Sequence, residues 1–134
     1  MKVYISGPIS GLDRRLVEKR FQLAADWLER IGHIAVNPMT IEPIPGCGCP
    51  PEALHTWACC LRKDIRQLVT CDAIYLLPNW HGSRGARLEL HNALELGLEM
   101  FDAGARTGPR AVNGRTLEPA VGVADYILEE RQAA

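Results

Sequence analysis

A carboxylate on the apolar side of a predicted helix is the first residue in this sequence whose type and place suit chemistry. Residues 83–97 have the period of an amphipathic helix, and Glu89 falls on its apolar face. That face is formed by Ala86, Leu90, Ala93 and Gly97. Because surface helices keep charged side chains on the opposite face, an inward carboxylate needs a partner, a raised pKa or a chemical role.

A second acid breaks the same rule. Asp64 lies within the apolar stripe Leu61, Ile65 and Leu68 of the helix predicted for residues 57–69. If both helices pack on one sheet, the two carboxylates can share a cleft and carry out glycosyl chemistry. One carboxylate then attacks or stabilises the anomeric carbon, and the other group orients the sugar or handles a proton. The alternative is that each acid only caps a loop or pairs with an arginine.

Composition limits the classes of partner. The 134 residues fit one domain, and 15 basic against 16 acidic side chains leave a formal charge of −1. That balance provides no electrostatic footprint for nucleic acid or an anionic membrane. No apolar run approaches the roughly 20 residues of a membrane span, and the sequence starts in a strand rather than a signal peptide. We therefore expect a cytoplasmic protein with no nucleic-acid or membrane partner.

The cysteines are odd in number, which favours reduced thiols over a disulfide framework. They are Cys47, Cys49, Cys59, Cys60 and Cys71. Together with His55 they suggest a zinc site, but neither a C-x-x-C nor an H-x₃₋₅-H pair occurs, and the adjacent Cys59 and Cys60 point in different directions on a helix. The spacing therefore predicts no metal, and no organic cofactor is implied.

Strands and helices alternate along the first hundred residues. Strands are predicted at 2–6, 34–36, 73–77 and 98–101, separated by helices or by a Pro-rich loop at 37–56. The first helix is capped by Asp13 and stopped by Gly32. This alternation predicts a single α/β domain, a flavodoxin-like (Rossmann-like) parallel sheet with helices on both faces. Beyond it, residues 102–116 are predicted to be flexible and residues 121–131 to be a terminal helix.

In such sheets the ligand lies beyond the carboxyl ends of the strands. Those ends carry residues 6–11, Asn37-Pro38 and a Gly-rich loop at 78–85, and Glu89 faces the same crevice near the positive end of its helix dipole. The residues expected to contact the substrate are Ser6, Gly7, Pro8, Ile9, Ser10, Gly11, Asn37, Trp80, Ser83 and Gly85.

Three groups of residues occur in a specific order. They are Tyr4-Ile5-Ser6-Gly7-Pro8-Ile9, then Asp64-Ile65 before Asp72, then Ser83, Gly85 and Glu89 followed by Ala93 and Gly97. In this order the sequence resembles the nucleoside 2-deoxyribosyltransferase family, and most closely its small nucleotide N-glycosidases and uncharacterised deoxyribosyltransferase-like members. The resemblance covers about residues 2–101 and leaves 102–134 as a variable C-terminal segment.

The resemblance implies roles for individual residues. Glu89 matches the nucleophile that attacks C1′ of the sugar and releases the base, Asp64 matches the acid that positions the sugar or nucleophile, and Tyr4 matches the tyrosine beside the nucleophile. The family also completes its sites with a neighbouring subunit, which implies a homo-oligomer. Relatives that use a phosphate carry an arginine in the loop after the first strand, whereas here Arg14 and Arg15 lie further on.

Some roles stay open at the level of sequence. The ring of Tyr4 can also be a core residue, Ser83 can also be a helix N-cap, and Trp80 either stacks on a base or covers the sheet edge. We expect cleavage or transfer of the N-glycosidic bond of a nucleoside or nucleoside 5′-monophosphate. The alternatives are a non-catalytic nucleotide-binding or sensing module on the same fold, and a phage- or plasmid-type structural protein.

Overall fold

A computed structural model describes residues 1–49 and 55–103. Four strands form one sheet: β1 (Lys2–Ser6), β2 (Ile34–Val36), β3 (Ala73–Leu76) and β4 (Glu99–Asp102). All pairings are parallel, and the strand order is β2-β1-β3-β4. The expected terminal helix at 121–131, and all but the start of the expected flexible stretch at 102–116, lie outside the described residues.

Helices cover both faces of the sheet, which confirms the predicted α/β fold. One face packs against α1 (Arg14–Arg30), and the other packs against α2 (Trp57–Leu68) and α3 (Arg84–Glu95). Strand β3 is buried along its whole length, as a strand covered on both sides requires. The long loop after β2 also contains a short 3₁₀ helix, Pro38–Thr40.

Each of the three α-helices begins at a side chain that accepts hydrogen bonds from one or two of its free N–H groups. Asp13 accepts from the backbone of Arg15 and Leu16, Thr56 accepts from Cys59, and Ser83 accepts from Ala86. Such caps contribute about 1 kcal/mol each. The predicted cap at Asp13 is therefore present, and Ser83 is an N-cap that also lies at the start of the helix carrying Glu89.

The end of α3 differs from the sequence prediction. Gly97 was placed on the apolar face of this helix, but it is exposed and has a positive φ of 71°. The N–H groups of Gly97 and Leu98 bond to the carbonyls of Leu94 and Ala93. This is the Schellman arrangement, in which a glycine in the left-handed region ends the helix.

The strand order creates one point where the connections diverge. The chain leaves β1 for α1 on one face of the sheet, whereas it leaves the neighbouring β3 for α3 on the opposite face. A crevice opens between such diverging connections, at the carboxyl ends of the two central strands. Here those ends are Ser6 and Leu76, which are paired in register.

No helix in the described parts of the chain combines the length and the apolar character that crossing a membrane requires.

Candidate active site

Glu89 lies at the crevice and is only 6% exposed. It stands in the second turn of α3, and its Oε1 accepts a hydrogen bond of 3.0 Å from the hydroxyl of Ser6 at the end of β1. The other carboxyl oxygen, Oε2, is buried and has no hydrogen-bond partner among the residues that the structure describes. Ser6 thus holds one of the two carboxyl oxygens in place.

Burial dominates the electrostatics of Glu89. It raises the pKa of this carboxyl to about 8, and the nearby charge of Asp64 acts in the same direction. The hydroxyls of Tyr4 and Ser6 and the charge of Lys63 lower the pKa, but they offset only part of the effect of burial. The protonated form of Glu89 therefore predominates at neutral pH in the free protein.

Asp64 is the second acid of the crevice. Burial raises the pKa of this α2 carboxyl to about 6, and Lys63 opposes that rise. The Lys63 ammonium lies 3.4 Å from Asp64 Oδ1 and donates to the carbonyl of Pro38 at 3.0 Å. Lys63 therefore connects the first turn after β2 to the acid pair, which the sequence pattern did not indicate.

Tyr4 has its ring in the core and its hydroxyl close to the acids. Its ring is fully buried in the core on the α2 and α3 side of the sheet. Burial raises the pKa of its hydroxyl well above the usual value, and the charges of Glu89 and Asp64 raise it further. The hydroxyl makes no well-formed hydrogen bond within residues 1–49 and 55–103, although its interaction with Glu89 lowers the pKa of that carboxyl. Tyr4 is thus a core residue whose hydroxyl faces the acids.

Both acids line one cleft of about 860 Å³, as the two apolar stripes predicted. Six of the expected contact residues also line it: Gly7, Pro8, Ile9, Ser10, Ser83 and Gly85. Ser6 lies beneath them, with its hydroxyl on Glu89. The size is within the range of pockets that hold small molecules, and the place is the one expected for a parallel sheet.

Besides Ser6, three of the expected contact residues do not line the cleft. Trp80 is 3% exposed and packs in the core, where its ring also stacks on His81. Asn37 uses its side chain to accept from the Met39 N–H and lines a separate groove. Gly11 is an exposed turn residue with a φ of 77°. The structure places these three outside the lining of this cleft, and their contact with a substrate stays a prediction.

The cleft also contains residues that the sequence analysis did not select. Arg20 from α1, and Trp57 and Arg84 from the starts of α2 and α3, all line it. The Arg84 guanidinium lies 4.0 Å above the ring of Trp57, a cation–π arrangement. Arg84 directly follows Ser83 of the matched motif, so the sequence could have indicated it as a site residue. No sequence pattern singles out Arg20.

The structure also corrects the interpretation of the cysteines. Cys47, Cys49, His55 and Cys59 place one donor atom each within 4.8 Å of one another. The expectation that their spacing is unsuited to a common site is therefore wrong in its geometry. The cluster lies at the start of α2, and His55 lines the cleft as well.

Comparison with solved structures supports the fold. The 2-deoxyribosyltransferase of the psychrotolerant bacterium Bacillus psychrosaccharolyticus superposes with a TM-score of 0.52 at 14% sequence identity. The match covers 90% of this chain and 100% of that chain. At this identity the likeness concerns the fold alone.

Sequence comparison places the chain in a family. Among curated proteins none matches it significantly. Residues 1–102, which include all four strands and both acids of the cleft, match the model of a domain of unknown function, DUF4406. The chain therefore belongs to the DUF4406 family.

Proposed function

We propose that this protein cleaves or transfers the N-glycosidic bond of a nucleoside or nucleoside 5′-monophosphate, with Glu89 as the nucleophile. The observation that carries the proposal is the pair of carboxyls, Glu89 and Asp64, in one cleft at the carboxyl edge of a parallel sheet. The fold shared with a 2-deoxyribosyltransferase agrees with it. Enzymes that displace a group at an anomeric carbon most often use a pair of carboxyl groups beside C1′, one of them as the nucleophile.

The reaction has two steps. In the first, an ionised oxygen of Glu89 forms a bond to C1′ while the bond between C1′ and the base nitrogen breaks, and the departing base takes a proton from water in the cleft. In the second, water or another base attacks C1′, and the Glu89 carboxylate leaves. When water attacks, one of its protons passes to solvent; when a base attacks, its N–H proton passes to solvent and the product is a new nucleoside.

The contacts around Glu89 suggest a separate role for each residue near it. Ser6 holds Oε1, so the buried and unpartnered Oε2 is the oxygen assigned to attack. Asp64 is assigned to accept a hydrogen bond from a sugar hydroxyl and thereby to position the ring. Tyr4 faces both acids, and we assign its hydroxyl to orient the carboxylate of Glu89.

Two cations support recognition of a 5′-phosphate. Arg20 and Arg84 line the cleft from opposite layers of the fold, and Arg84 is the first residue of α3. The N-terminus of a helix with free N–H groups attracts an anion, and an arginine beside it adds charge-assisted hydrogen bonds. We assign to these two residues the role of the loop arginine that, by the family resemblance, relatives using a phosphate carry after β1.

A panel of nucleosides and their 5′-monophosphates, followed by chromatography, tests the proposal. We expect release of free base from at least one member, and loss of that release by several orders of magnitude in Glu89→Ala, because water cannot replace a positioned nucleophile. Asp64→Asn should retain more activity, since a positioning group contributes only part of the barrier reduction. Glu95→Gln, an exposed acid on the same helix, is the matched control.

One observation favours a second candidate function. The pKa of about 8 keeps Glu89 mostly protonated at neutral pH, a form that binds a ligand as a neutral donor without attacking it. A binding or sensing module would bind a nucleotide in calorimetry without releasing base, and Glu89→Gln would leave its affinity nearly unchanged. Undiminished turnover in Glu89→Ala would show that Glu89 is not the nucleophile.

The assembly state is part of the proposal. We infer a homo-oligomer from the family resemblance, and light scattering coupled to size-exclusion chromatography measures it directly. A monomer at all concentrations would mean that one chain completes its own site.

A further inference from the structure

Four donor side chains converge where the loop after β2 meets the start of α2. The three thiols of Cys47, Cys49 and Cys59 and one imidazole nitrogen of His55 lie within 4.8 Å of one another. Cys59 is buried, and its backbone N–H is fixed by the N-cap Thr56 at 3.1 Å. The cluster therefore joins a loop residue pair to a fixed position on a helix.

We propose that Cys47, Cys49, His55 and Cys59 bind one zinc ion. Three thiolates and one imidazole form a closed tetrahedral ligand set of the kind found in structural zinc sites. The ligand chemistry is distinct from that of the cleft acids, so the proposal does not depend on the glycosidic reaction.

The distances within the cluster support a common centre. The Sγ atoms of Cys47 and Cys59 lie 3.5 Å and 3.4 Å from the same nitrogen, Nδ1 of His55. On one zinc with ordinary bond lengths, a thiolate and an imidazole nitrogen lie about 3.5 Å apart at the tetrahedral angle. One nitrogen lone pair accepts only one good hydrogen bond, so hydrogen bonding alone gives no reason for two thiols to approach it.

The backbone explains how an unusual spacing reaches this arrangement. Gly46 and Gly48 flank Cys47 and have positive φ values of 73° and 78°. These left-handed conformations turn the chain on each side of Cys47, and glycine adopts them without a steric cost. Cys59 then enters the cluster while its neighbour Cys60 faces the cleft, because adjacent helical residues point in different directions.

Because the cluster lies at the start of α2, a bound zinc ion would stabilise this part of the fold. Zinc would fix the first turn of α2, the helix that carries Asp64 five residues after Cys59, and it would hold His55 at the rim of the cleft. Binding replaces the protons of three thiols, so zinc uptake releases protons and strengthens as pH rises.

Metal analysis of the full chain, purified without chelators or metal-affinity steps, tests the proposal. We expect about one zinc per chain and a melting temperature that falls on treatment with a chelator. Reduced, metal-free protein titrated with Co²⁺ should develop the intense visible absorption of tetrahedral cobalt bound to thiolates, saturating at one equivalent and reversed by zinc.

Variants identify the ligands. Cys47→Ser, with its exposed side chain, and His55→Gln should each reduce zinc content and cobalt absorption severely, whereas Cys60→Ser and Cys71→Ser should retain full stoichiometry. If Cys59→Ser does not fold, the cobalt titration of the unmodified chain still decides. Reduced protein that binds neither ion at one equivalent, or a disulfide between these cysteines in freshly purified protein, would overturn the proposal.

Discussion

At the scale of single residues, the fold buries the carboxyl of Glu89 and so deprives its charged form of stabilisation by water. Ser6 provides one hydrogen bond to Glu89, and Tyr4 and Lys63 stabilise its charge further, yet burial still raises the pKa to about 8. Desolvation therefore exceeds the compensation that the protein supplies. Side chains with strongly shifted pKa values concentrate at functional sites, where the shifted pKa serves binding or chemistry.

The raised pKa of Glu89 makes stability depend on pH. A carboxyl with a folded pKa of about 8 and an ordinary value of 4.5 holds its proton longer in the folded state, so stability is full below pH 4.5 and is lost as pH rises toward 8. Between pH 5 and 8 this loss amounts to at most about 4 kcal/mol. We expect the free energy of unfolding of Glu89→Gln to fall less over that interval, as measured in urea.

The control for this measurement is Glu95→Gln, whose side chain is exposed. Asp64, with its pKa raised to about 6, adds a loss of the same sign at lower pH, but it is present in both proteins and cancels in the comparison. Parallel stability curves for the wild type and Glu89→Gln would show that the carboxyl is not buried as described.

The same pKa predicts how activity depends on pH. A nucleophile must be ionised, and a group with a pKa of about 8 is about one-tenth ionised at pH 7. We expect kcat/KM for the substrate found in the panel to rise about tenfold per pH unit and to level off near pH 8, because this constant reports the free enzyme. In Ser6→Ala this rise of kcat/KM should occur at higher pH, because the variant lacks the hydrogen bond that stabilises the charged form of Glu89. A profile flat from pH 6 to 9 would be incompatible with this role for Glu89.

The acids were predictable from the sequence, and several other site residues were not. Periodicity alone revealed Glu89 and Asp64, because a charge within an apolar stripe is a local signal. Trp80 and Asn37 lie outside the lining of the cleft, each at the start of a short 3₁₀ helix: Trp80 begins Trp80–Gly82, and Asn37 caps Pro38–Thr40. The cysteine cluster was rejected on linear spacing, which carries no information on the turns at Gly46 and Gly48.

At the scale of elements, the loop after β1 forms a wall of the cleft and depends on a close approach. A Cβ added to Gly7 would lie 2.8 Å from the Cβ of Leu77, the residue that follows β3. That atom is next to the backbone and cannot swing away. The glycine in the matched motif is thus explained by packing at the edge of the sheet.

Two glycine substitutions test this interpretation. Gly7→Ala should destabilise the protein by about 1–3 kcal/mol, because the new methyl group forces the loop or β3 to shift. Gly85→Ala, where an added Cβ meets nothing within 4 Å in the first turn of α3, should be neutral or stabilising by up to about 1 kcal/mol. Urea unfolding of both variants gives the comparison. Equal effects would mean that the contact with Leu77 does not limit position 7.

At the scale of the whole molecule, the alternation of strands and helices predicted the parallel sheet and its two covered faces. Alternation is a property of the linear chain, and parallel strands require crossover helices. It also located the cleft, because connections to opposite faces diverge at Ser6 and Leu76. The lining of that cleft was less predictable, because Arg20 arrives from the layer on the far side of the sheet.

The two arginines from opposite layers give the last prediction. If Arg20 and Arg84 bind a 5′-phosphate, Arg20→Ala and Arg84→Ala should each lower kcat/KM for the nucleoside monophosphate about 10- to 100-fold, the value of one charge-assisted hydrogen bond. The unphosphorylated nucleoside should lose much less, because it presents no anion to these side chains. Arg15→Ala is the matched control for Arg20, since Arg15 lies on the same helix but lines a different groove. Equal losses for both substrates would assign the arginines to holding the cleft wall in place rather than to binding phosphate. In the wild type, raising the salt concentration should lower kcat/KM for the monophosphate more than kcat/KM for the nucleoside. In both variants the difference between the two substrates should be smaller.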